Sequence, residues 1–156
     1  MSKLKELLEQ KELSIRQLSR LTKVHKNTLL KYLSVDTPYY DNGRLRVYWK
    51  IATGLEIEVE EVLLGSDWHP ASDIVRSRMT IAEAVDRKAV WLNTSAMDVH
   101  NQIRELLGLN DYATFSAYEN YRWMPTIEDA IKIAEFLNCT LDALWGDYLA
   151  RMENAG

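Results

Sequence analysis

The chain has 156 residues, room for one ordinary domain or two small ones, and 47% hydrophobic content excludes disorder as the default. No apolar run approaches bilayer length, and the opening "MSKLKELLEQ" puts charge where a secretory signal needs an apolar core, so a cytoplasmic protein with no membrane partner is expected. The net charge of −4 argues against a uniformly basic surface, yet residues 1–50 hold eleven Lys or Arg against five Asp or Glu, a net of +6, while residues 51–156 carry −10. That asymmetry suits one half meeting a polyanion; the plainer reading is a solvated basic face.

Taken in chain order, nearly every segment reads as helix. "SKLKELLEQK" puts Leu4, Leu7 and Leu8 on one face behind a Ser2 cap. "SIRQLSRLTK" opens with Ser14 and Gln17 at capping-box spacing, and Leu18 and Leu21 form its apolar stripe. "HKNTLLKYLS" follows after a short break at Lys23-Val24. In "VDTPYYDNGRLRVYW", Pro38 and Asp41-Asn42-Gly43 require a turn, so a connection over 34–47 is expected. "KIATGLEIEVEEVLLG" (50–65) then closes the unit as one helix and a short final turn, with the acid run 56–61 read as a solvated helix face.

"GSDWHPAS" has connector composition, giving domains 1–65 and 73–156 with a linker at 66–72. Beyond it, Thr80 and Glu83 make a second capping box before "IAEAVDRKAVWL". A helix starts near Thr94 or Ser95 and stops at Gly108. "DYATFSAYEN" is a short helix, and "TIEDAIKIAEFL" is capped by Thr126. The fold class expected is all-α: two small helix-turn-helix domains of four to five helices each.

Catalysis finds no foothold. His25, His69 and His100 lie in separate segments without ligand spacing, and the lone Cys139 sits in an apolar context that suits a buried thiol. There is no glycine-rich phosphate loop. No enzyme activity, metal or cofactor is expected.

One repeat organises the rest. At an offset of 82, Lys50, Ile51, Ala52 and Leu55 meet Lys132, Ile133, Ala134 and Leu137, and Val59, Glu60, Val62 and Leu63 meet Leu141, Asp142, Leu144 and Trp145. Upstream of the first copy, two short helices around a tight turn, the later one basic, make a helix-turn-helix candidate. Ser19 is the small residue of its first helix and Val24 the apolar residue of its turn; Thr28, Leu29 and Tyr32 form the inner face of the second.

"SIRQLSRLTKVHKNTLLKYL" followed by "KIATGLEIEVEEVL" resembles the lambda-repressor-like (Cro-type) helix-turn-helix family over about residues 3–65. Departures are Lys23, where the family usually has Gly, and the long connection. The resemblance implies that Lys26, Asn27, Leu30 and Lys31 read bases in the major groove, chemistry that Lys (guanine) and Asn (adenine) can supply. It places Arg16, Gln17 and His25 near phosphates, with Arg44 and Arg46 in the loop gripping backbone or minor groove. It also implies an operator in double-stranded DNA, a homodimer, and a bacterial, phage or mobile-element repressor.

The second half fits the same template from "IRELLGLNDYATFSAYENYRWMPTIEDAIKIAEFLNCTLDALWG", with Gly108 in the turn, Arg104 where a small residue is usual, and one extra residue before Tyr118-Glu119. Its reading helix has no Lys or Arg and carries Asp111 and Glu119, so phosphate would be repelled. The expectation is a degenerate copy for dimerisation or protein interaction, with Tyr112, Phe115, Tyr118, Tyr121 and Trp123 as an aromatic surface or else as core. The alternative for the whole chain is an adaptor or antitoxin-like protein whose repeats bind proteins rather than DNA.

Overall fold

The computed structural model describes residues 2–155, and every regular element among them is a helix. The chain divides into two compact units, one ending at Pro70 and the other beginning at Ala71, so the division falls within the 66–72 connector. The fold is all-α; an isolated parallel bridge joins Val75 to Cys139.

The first unit contains α1 (Lys3–Gln10), α2 (Ile15–Thr22), α3 (Lys26–Leu33), α4 (Leu45–Leu55) and α5 (Val59–Leu64). The Ser2 hydroxyl accepts the Lys5 amide, and Ser14 and Gln17 close the full capping box, so α1 and α2 begin where their side chains satisfy the orphan amides. Leu4, Leu7, Leu8, Leu18, Leu29, Ile51, Val62 and Leu63 make the core. Burying each such side chain contributes about 1.5–3 kcal/mol. Leu21, expected in the α2 stripe, is half exposed. Gly54 explains how closely α4 rests on α2: a Cβ there would lie 2.8 Å from the Leu21 carbonyl oxygen and 2.9 Å from Thr22 Cα.

The connection between α3 and α4 is shorter than expected, because α4 begins at Leu45. Three tyrosines pin it. The Tyr32 ring stacks on Tyr40 and meets Tyr48 edge-on, with centroids 5.2 and 5.0 Å apart. The Tyr48 hydroxyl accepts the Tyr40 amide at 2.6 Å and the Tyr32 hydroxyl accepts the Arg44 amide at 2.9 Å. Burial raises the pKa of both phenols above the ordinary value, so both stay protonated. The acid run also differs from expectation: Glu60 is buried in α5 rather than solvated.

The second unit contains α6 (Ile81–Leu92), α7 (Ala96–Leu107), α8 (Tyr112–Glu119), α9 (Ile127–Phe136) and α10 (Leu141–Ala155). Ser95 and Thr126 cap α7 and α9 as their positions predict. Thr80 makes only half a box: its hydroxyl accepts the Glu83 amide, while the Glu83 carboxylate takes the same hydroxyl instead of reaching the backbone. The entering segment is tied to the turn before α10, where the Val75 amide donates to the Asn138 carbonyl and the Thr140 amide to the Val75 carbonyl. Arg78 bridges Asp142 and Asp147 at 3.3 and 3.1 Å across Gly146, where a Cβ would stand 2.7 Å from the guanidinium. Cys139 is buried, which raises its thiol pKa. The expected final turn is a six-residue helix in α5 and a fifteen-residue helix in α10.

The repeat seen in the sequence is a repeat in packing. Ile51 and Ile133, Ala52 and Ala134, Val59 and Leu141, Val62 and Leu144, and Leu63 and Trp145 are all buried. Backbone punctuation repeats too. Left-handed residues follow the first helix of each unit (Glu12 and Asn93, φ 54° in both), end the second (Lys23 at 60°, Gly108 at 71°), and follow the fourth (Glu56 and Asn138, 56° in both).

Candidate nucleic-acid interface

The turn between α2 and α3 is built from three hydrogen bonds and one buried side chain. Thr22 donates its hydroxyl to the Leu18 carbonyl at 2.8 Å and accepts the Val24 amide at 3.3 Å; Ser19 donates to the Val24 carbonyl at 2.7 Å. Val24 is buried, so the chain re-enters the core before α3 starts. Lys23 carries the change of direction in a left-handed conformation, where a side chain other than glycine costs about 1–2 kcal/mol. Its carbonyl accepts the Lys50 ammonium at 3.4 Å.

His25 caps α3 by accepting the Asn27 amide on Nδ1 at 3.1 Å. That bond needs Nδ1 unprotonated and leaves Nε2 as the outward nitrogen. Leu29 and Tyr32 are buried on one side of α3, with Thr28 half-buried on the far side of Tyr32. At 100° per residue, Asn27, Leu30 and Lys31 turn away from that side and Lys26 lies on its flank, and all four are exposed. Arg16 and Gln17 are exposed in the first turn of α2. The Gln17 carbonyl oxygen is occupied by the Ser14 amide, so its NH2 is the group left to donate outward.

Two sites differ from expectation. Arg44 and Arg46 are not in the loop: Arg44 is the N-cap of α4 and Arg46 lies in its first turn, half-buried. The tyrosine clamp ends the loop early and sets this boundary. No acidic residue stands in that first turn, so two cations flank a helix start whose dipole favours an anion. Leu30, at 43% exposure, is also a groove residue. With Leu8, Leu13, Ile15 and Leu33 it lines a groove of about 520 Å³ rimmed by Lys5, Glu9 and Glu12.

The second unit breaks up the expected aromatic surface. Phe115 is fully buried and is core, its ring edge-on to His100 at 4.4 Å. Tyr121 is committed internally: its hydroxyl accepts the Ile81 amide and donates to the Leu144 carbonyl. Tyr118 is half-buried. Only Tyr112 and Trp123, at 48% and 59% exposure, are outward members of the set. Residues at neighbouring sequence positions in a short helix face different directions, so a list of aromatics is not a patch. The α8 start is acidic, with Asp111 accepting the Thr114 amide at 2.8 Å, and that bond holds its carboxyl below the usual range.

The tyrosine clamp and the Lys50–Lys23 contact were not anticipated from sequence. The first is made by bonds eight and twelve residues long in sequence and the second by one of twenty-seven, so nothing local announces either. No metal-binding cluster and no helix long and apolar enough to cross a membrane occurs among the described residues. No family model matches the chain, and no curated protein or solved structure matches it.

Proposed function

We propose that the protein is a sequence-specific DNA-binding transcriptional regulator of the lambda-repressor-like kind, a repressor acting as a homodimer on double-stranded DNA. In this reading α2 and α3 are the helix-turn-helix, α3 enters the major groove, and the second unit is a copy that no longer binds DNA. One observation carries it: Lys26, Asn27, Leu30 and Lys31 are all exposed on α3, outside its buried stripe of Leu29 and Tyr32. Lys26 and Lys31 supply guanine donors and Asn27 an adenine pair. Arg16, Gln17, His25, Arg44 and Arg46 supply phosphate contacts at helix starts.

The test is fluorescence polarisation of the full chain with genomic double-stranded fragments at several salt concentrations. Affinity is expected to fall linearly on a log–log salt plot. Lys26→Ala and Lys31→Ala each weaken binding by about 1–3 kcal/mol and flatten the slope by about 1 wherever the lysine meets a phosphate. Lys132→Ala, in the second unit, leaves both unchanged. Binding that is absent, or indifferent to salt, refutes the reading.

A second reading, the adaptor or antitoxin-like protein, is favoured by the apolar groove that Leu30 shares with Leu8, Leu13, Ile15 and Leu33. A partner helix seated there would be lost on Leu30→Asp while tolerating high salt, the opposite signature from DNA.

A further inference from the structure

Helix α6 carries an open tryptophan with a cation on each side of it. Arg87 and Lys88 precede Trp91 by four and three residues, the spacings that share a helix face. A helical side chain leans over the turn before its own, so the indole lies toward both charges. Trp91 is 73% exposed, unusual for a tryptophan that meets only water. Glu83 and Asp86 fall on the Val90 side of the helix, about 80° and about 140° around it from Trp91.

Beside this face runs a groove of about 400 Å³, the scale of a small-molecule site. Trp91 and Leu137 give it an apolar lining, and Arg87, Lys88, Asp73 and Asn138 supply its polar groups; Glu83 and Asp86 do not line it. The groove's charges are not equally engaged. The Asp73 carboxylate already accepts the Asn138 amide at 3.3 Å. Among the described residues neither Arg87 nor Lys88 is paired with a carboxylate. The Lys88 ammonium stands 5.2 Å from the Phe136 ring centroid. Burial raises the Cys139 thiol pKa and the Arg87 charge works against that rise, so the guanidinium is within electrostatic reach of the turn between α9 and α10.

Two unpaired cations and an open indole around an apolar lining are complementary to a flat apolar body that ends in a carboxylate. The body stacks on Trp91, and the carboxylate meets the Arg87 fork, whose geometry matches it. A neutral body leaves both cations unused, and a cationic one is repelled by them. We propose that this groove binds a small planar organic carboxylate, with Arg87 and Lys88 as its charge partners and Trp91 as its stacking wall. The site uses no DNA and no residue of α3, so it stands or falls separately from the regulatory reading.

A proton–nitrogen NMR titration of the full chain decides it, with 2-naphthoate as the probe and 2-naphthamide as its uncharged match. Trp91→Leu identifies the Trp91 indole signal among those of the five tryptophans, and its thermal midpoint is unchanged because the side chain is exposed. 2-Naphthoate is expected to move that signal saturably, with a Kd of about 1 mM or below, ordinary for a ligand this small. 2-Naphthamide binds about 5-fold more weakly or worse. Arg87→Gln and Lys88→Gln each weaken the carboxylate by about 2- to 5-fold and leave the amide as it was. Asp73→Asn, which removes the groove's one like charge, tightens the carboxylate. In Trp91→Leu the probe no longer shifts the Leu137 amide. An amide that binds as well as the carboxylate overturns the proposal. So does a Trp123 indole that moves as far as that of Trp91, or a Trp91 signal unmoved up to about 10 mM.

Discussion

Helices α3 and α8 occupy the same place in their units, each eight residues long and each following a left-handed turn. Their surfaces are opposite. α3 starts from His25 and presents Lys26 and Lys31; α8 starts from Asp111 and has no basic residue at all. Behind them the supporting helices keep equivalent buried residues, Ile51 with Ile133 and Leu63 with Trp145. The core and the helix ends carry the fold, whereas the outward face of one short helix carries the electrostatics a polyanion would feel. The units also differ in backbone comfort. At the matched left-handed positions the second uses Asn93, Gly108 and Asn138 and the first Glu12, Lys23 and Glu56, residues that tolerate them less well; Tyr121, at φ 64° in the second unit, has no counterpart in the first.

The largest expected effect lies where α4 crosses α2. Gly54→Ala drives a methyl into the α2 backbone and should destabilise the first unit by about 1–3 kcal/mol. Hydrogen exchange should quicken in α2 and α4 but not in the second unit; Phe136, at the matching position, instead holds its ring beneath the Lys88 ammonium, 5.2 Å away. Unchanged exchange in α2 would refute the close approach.

A smaller effect separates the units by pH. His100 is buried against Tyr112 and Phe115 with no hydrogen-bond partner on either ring nitrogen. Burial, aided by the nearby Arg104 charge, lowers its pKa. The unfolded chain therefore binds the proton first. Stability from the neutral ring is full above about 6.5 and declines as pH falls from there to the depressed folded value, by at most about 1.4 kcal/mol per pH unit. Denaturation of His100→Phe should lack that component; an identical acid slope in the variant would exclude His100 as its source.

The smallest effect lies in the left-handed residues. Lys23→Gly should stabilise the first unit by about 0.5–1 kcal/mol, since the relief of strain exceeds the extra freedom of glycine in the unfolded chain. Gly108→Ala should destabilise the second unit by about 1 kcal/mol, although a Cβ there meets nothing within 4 Å. Thermal midpoints moving together rather than oppositely would contradict this account.

Much of the fold was legible because it rests on local chemistry. Ser2, Ser14, Ser95 and Thr126 cap helices through atoms three residues away, and spacing along a helix assigns buried and exposed faces, as it did for Leu29 and Lys26. The candidate site was legible to the same depth, with α3 reading correctly as a two-faced helix. Its periphery was not. Arg44 and Arg46 read as loop residues because the bonds that Tyr32 and Tyr48 accept, which end the loop, span twelve and eight residues.

What the sequence determined by itself was the all-α class, the repeated core and the charge asymmetry, since each depends on periodicity, side-chain size or counting. Tertiary structure alone decided which aromatics are surface and which are core. Phe115 is enclosed by His100 from a neighbouring helix, and Tyr121 is held by Ile81 and Leu144, forty and twenty-three residues away. It also decided that Val90 and Trp91 remain uncovered. Burial is a property of what packs against a residue, and a short helix cannot announce which neighbours will arrive.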